Sequence, residues 1–108
     1  MRQIESRFAT YRVAFQPRPS RIPVNEYFTM SVAVHDAQGA GVDVELAVDA
    51  DMPEHGHGLV ARPRVRRTES GRFEVEGLLL HMPGLWELYF DVTREGATER
   101  AVAAVQVE

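Results

Sequence analysis

Cysteine and lysine are both absent from the 108 residues. Without cysteine there are no disulfides, thiolate metal sites or thiol nucleophiles, and a small domain must rest on its apolar core. Without lysine there is no Schiff-base or Walker-type chemistry, and the twelve cationic side chains are all arginine. No apolar run nears the ~20 residues of a bilayer-spanning helix. Met1 to Ser6 has no apolar export-signal core, so the residues themselves leave cytoplasmic and exported settings open. No window carries a helical stripe, and phosphate-binding glycine loops and nucleophile-elbow serines are missing. The catalytic residue patterns are thus lacking, and a non-enzymatic role is expected. The formal charge of −4 and the single arginine-rich stretch, Arg62, Arg64, Arg66 and Arg67, argue against nucleic acid as a partner.

What is present is alternation with a period of two. Tyr11, Val13 and Phe15 form one row. Phe28 to Val34, Val42 to Val48, Phe73 and Val75, Trp86 to Val92, and Ala101 to Val107 supply five more. Alternation of this kind sets one face of each strand in a core. Turn residues separate the rows: Pro17-Arg18-Pro19, Gln38-Gly39, Ser70-Gly71, Pro83-Gly84 and Glu95-Gly96. Adding a short strand near Arg64 to Thr68, the chain is expected to be one all-β domain over 1–108. The expected form is an immunoglobulin-like antiparallel sandwich of about seven strands, with residues 1–6 a flexible terminus. Pro83-Gly84 is read as a tight turn between two consecutive strands.

Two segments break the pattern. Residues 49–63, DADMPEHGHGLVARP, form a long connection rich in Gly, Pro and His. Leu78, Leu80 and Met82 share the parity of Glu74 and Glu76, so an apolar patch is expected on the solvent side of that strand. The 49–63 segment folding back, or a partner chain, would cover it. Met52, His55, His57 and Met82 fall in these segments, with His81 adjacent. His55 and His57, two apart, project to one side if the stretch is extended. Thioether and imidazole together suit Cu(I), and imidazole also suits Cu(II), Zn and Ni. Asp49, Asp51 and Glu54 offer oxygen. The same residues have plain structural roles open to them. Met52 continues the inward row of Val44, Leu46 and Val48, and Met82 can close the patch. His35 reads as a solvated residue, His81 as a hydrogen-bonded, half-buried one or a further ligand, and His55 and His57 as loop histidines bonded to carbonyls.

Met52-Pro53, His57-Gly58, Pro63, Gly71-Arg72-Phe73, Met82-Pro83-Gly84 and Trp86 together resemble the YtkA-like/FixH-like family of small bacterial β-sandwich domains, over about residues 24 to 108. The resemblance implies an immunoglobulin-like module, exported or periplasmic, often tethered to a membrane and found near copper handling. It would place suspected metal ligands on Met52, His55, His57 and Met82. Many members carry Met where this chain has His55, a departure that shifts preference toward Cu(II) or Zn. The expectation is therefore an extracytoplasmic copper-binding module. The alternative is a metal-free interaction domain that docks a partner, or a second copy, through its apolar patch or an edge strand.

Overall fold

A computed structural model describes residues 1–108. There are nine strands: β1 (Arg2–Glu5), β2 (Tyr11–Arg18), β3 (Phe28–Asp36), β4 (Glu45–Met52), β5 (His57–Gly58), β6 (Arg64–Glu69), β7 (Arg72–Leu78), β8 (Gly84–Arg94) and β9 (Ala97–Val107). They form two antiparallel sheets, ordered β1-β2-β3-β7-β6 and β5-β4-β8-β9. Without β1 and β5, the order β2-β3-β7-β6 over β4-β8-β9 is that of a constant-type immunoglobulin sandwich. The all-β sandwich expected from the alternation is the observed architecture.

The alternating rows become the core. Val13, Met30, Val34, Val75, Trp86, Leu88, Phe90 and Val92 are wholly buried. Each contributes about 1.5–3 kcal/mol of transfer free energy on an upper estimate. The Phe15 and Phe90 rings, 5.2 Å apart, join the sheets at the centre.

Several expectations are corrected. Residues 1–6 were expected to be a flexible terminus; here Arg2–Glu5 pair with β2 from Arg2 opposite Phe15 to Glu5 opposite Arg12. The apolar patch of Leu78 and Leu80 does not lie on the solvent side. Phe28 pairs with Leu78 but Met30 with Val75, so β7 carries one extra residue there. Gly77, at φ 78°, supplies the left-handed step of this bulge. The step switches parity, and Leu78 and Leu80 turn into the core with no exposed surface. Pro83-Gly84 also does not close a hairpin, because β7 and β8 belong to different sheets. Residues 79–83 instead cross the end of the sandwich, and the Asn25 N–H, from the β2–β3 connection, donates to the Leu80 carbonyl at 2.8 Å and pins that crossing.

Candidate metal centre

The segment 49–63 is not one long loop. β4 runs on to Met52, and Pro53 to Gly56 form a tight turn into β5, with Met52 opposite His57. The His55 and Gly56 N–H groups donate to the Met52 carbonyl at 3.0 and 2.9 Å. Gly56, at φ 67°, closes the turn; a Cβ there would meet nothing, so the backbone conformation alone requires glycine. His55 therefore sits in a turn, so the condition of an extended stretch through both histidines is not met. The two imidazoles nevertheless lie side by side, with centroids 6.4 Å apart and planes 24° apart.

Residues opposite one another on paired strands project to the same face. Val48, Ala50 and Met52 point into the core, so His57 lies on the inward side of its sheet, at the open end of the sandwich. There it meets the crossing pinned at Leu80. The His57 and His81 rings lie edge to face, with centroids 5.8 Å apart. His81 in turn packs against Trp86 at 5.5 Å, again edge to face. Three imidazoles thus lead from solvent down to a fully buried indole.

His81 is half-buried, and its Nδ1 is cut off from solvent with no hydrogen-bond partner. The hydrogen bond expected of His81 from the sequence is thus not formed at Nδ1, an exception to the rule that buried polar atoms are paired. Trp86 is satisfied: its Nε1–H donates to the Met82 carbonyl at 2.9 Å. That bond fixes the turn carrying His81 and Met82. Met82 is half-buried and packs on the core. Met52 has no exposed surface and lies under this turn; a Cβ added to Gly84 would come 2.9 Å from the Met52 methyl carbon.

The structure thus brings His57 and His81 together, places His55 one ring further out, and sets Met52 opposite His57 on the same face. Met82 follows His81 in the chain. Asp49 and Asp51 do not join this group, because they alternate with Ala50 and Met52 and so point from the outer face of β4. Glu54 is exposed on the turn. As the side chains stand, no three of the His, Asp and Glu residues converge closely enough to hold an ion. His35 lies on β3, away from this group, and its backbone bridges Gly41. Trp86 as the packing partner of His81 went unnoticed in the sequence, although the Met-Pro-Gly-x-Trp spacing places that indole four residues past Met82.

No protein-family model matches the chain, and no curated protein matches it significantly in sequence.

Proposed function

We propose that the chain is a non-enzymatic binding module for a transition-metal ion, copper before others, held where His57 and His81 meet. The observation that carries this reading is the buried, unpartnered Nδ1 of His81 in a ring 5.8 Å from His57. A metal ion is one partner such a nitrogen can take, an ordered water being the other. Two imidazoles sharing an ion at metal–nitrogen distances of about 2.0–2.1 Å have centroids roughly 5–6 Å apart, so the His57–His81 spacing suits joint ligation. His55 lies on an exposed turn, free to swing in as a third ligand. The thioethers of Met82 and Met52 are the soft donors nearest in the chain, and would favour Cu(I) over zinc. Trp86 would wall the site from below. In an extracytoplasmic setting, tethered to a membrane or docked on a partner, such a module would buffer copper or hand it on.

The test is a set of melting curves with Cu(I), Cu(II), Zn and Ni added separately. A ligand at 100 times its dissociation constant adds about 2.7 kcal/mol to the folded state. His55→Ala with His57→Ala should abolish the shift and leave the metal-free melt nearly unchanged, since both side chains are exposed. Trp86 is the one tryptophan, so its fluorescence reports on the same site. Absence of any shift with all four metals overturns the reading.

A further inference from the structure

We propose that the free edge of β4 is a docking groove for an extended peptide segment in which apolar and basic residues alternate. β4 pairs with β8 from Glu45 to Asp51, but with β5 only at Asp51 and Met52. From Glu45 to Ala50 its other edge has no strand beside it; the Ala50 N–H donates to the neighbouring Asp49 Oδ1 at 2.8 Å, and the remaining edge donors and acceptors are left for an added strand. Six residues at about 3.3 Å each give an edge of roughly 20 Å.

A cleft of about 640 Å³ opens along this edge, with Leu46 and Val48 on the β4 side and Leu59, Pro63 and Val65 opposite; its charged lining is Asp49 and Asp91 against the single cation Arg62. The inward positions of the edge therefore ask for apolar side chains. The outward positions carry Glu45 and Asp49 on either side of Ala47, and both acids are exposed. They ask for cationic side chains at alternate positions of the incoming strand. The same acids argue against a second copy of β4 as the occupant: antiparallel self-pairing centred on Ala47 would set Glu45 against Asp49 twice. The chain already shows the chemistry one step earlier. Arg67 reaches from β6 to donate to Asp43 Oδ1 and to the Val44 carbonyl, both at 2.6 Å. A guanidinium there meets a carboxylate and the backbone of this side of the sandwich together, and Glu45 and Asp49 continue the acidic series beyond it.

The experiment titrates a labelled ten-residue peptide of alternating valine and arginine into the isotopically labelled protein. Saturable binding below about 1 mM is expected, with amide shifts concentrated at residues 45–50, weakening as salt rises. A valine–glutamate peptide should not bind. Glu45→Arg with Asp49→Arg, both at exposed positions, should reverse that preference. Backbone N-methylation of the valine–arginine peptide at alternate residues should weaken binding tenfold or more, because it removes the strand hydrogen bonds. The proposal is overturned by no saturable binding, by shifts that map elsewhere, by indifference to N-methylation, or by self-association of the protein through this edge.

Discussion

The two flanks of the sandwich are closed in different ways. On the β1/β9 flank the chain is stitched across by its backbone. Ser6 bridges Ala101, and the Arg7 N–H donates to the Arg100 carbonyl at 3.0 Å. Buried Ser6 adds its hydroxyl, which donates to Glu99 Oε1 at 2.8 Å and accepts the Tyr11 N–H at 3.0 Å. On the β4/β6 flank there is no such bridge. Arg67 alone laces β6 to Asp43 and Val44, and beyond it the cleft beside β4 stays open. A flank is sealed where one short polar residue satisfies groups from both sheets at once. Where a long exposed arginine does that work, the edge beyond it is left available.

The strongest way to break this comparison is at the foot of the open flank. Gly71, between β6 and β7, has φ 75°, and a Cβ there would lie 2.8 Å from the Val34 carbonyl oxygen and 3.1 Å from that of Val42. Both are backbone atoms that cannot swing aside, and the Gly71 carbonyl accepts the Val34 N–H at 2.7 Å. Gly71→Ala should destabilise by about 3 kcal/mol or more in urea unfolding. Gly39→Ala, with a similar φ of 86° and open space around it, should cost only about 1 kcal/mol. Next in size is Ser6→Ala on the sealed flank. It strands the Tyr11 N–H and removes a donor from Glu99, for about 2–3 kcal/mol by the same measurement.

How far these features could be read in advance follows from the physics of each. Six alternating rows announced themselves because burying one face of a strand forces period two, as Trp86 to Val92 shows. β1 did not, because an edge strand with only Ile4 half-buried carries no apolar row. Parity counting sets Leu78 and Leu80 on the solvent side because it assumes an unbroken ladder, which the bulge interrupts. Gly77, just before a run of three leucines, is the available sign that one residue is inserted. The hairpin at Met52 to His57 follows from Pro-Glu-His-Gly, a good turn sequence. The meeting of His57 with His81 does not, because it depends on β4 lying beside β8 and on residues 79–83 crossing between sheets. Spacing along the chain holds neither fact.

A smaller effect sharpens the contrast between the flanks. Arg67→Ala should cost only about 1 kcal/mol, because water can replace an exposed guanidinium at Asp43 and the Val44 carbonyl. Its clearer readout is local: hydrogen exchange should quicken at residues 43–50 while the amides of Arg7 and Tyr11 stay protected. Equal quickening on both flanks would show that the two sides open together and that the comparison fails.

The smallest effect is one of pH, and it belongs to the sealed flank. Burial pushes the Glu99 carboxyl up, but the Thr10 and Ser6 hydroxyls and the N–H groups of Phe8 and Thr10 outweigh it and hold the group below the ordinary value of 4.5. A carboxyl lowered by folding takes up its proton first in the unfolded chain. Its contribution to stability is complete above 4.5 and is lost as pH falls through the lower folded value. Glu74, on the outer face of the other sheet, behaves likewise, since the Ser31 hydroxyl and the Arg18 guanidinium overcome the effect of burial. The melting temperature should therefore fall on acidification below pH 4.5 in two parts. Glu99→Gln should remove only the part tied to the Ser6 stitch. In the wild type, the Phe8 amide, which donates to Glu99 at 3.3 Å, should lose exchange protection on acidification before the β8–β9 core does. If Glu99→Gln leaves the acid limb unchanged, the seal on this flank rests on its backbone bridge alone, and the carboxylate contributes nothing to it.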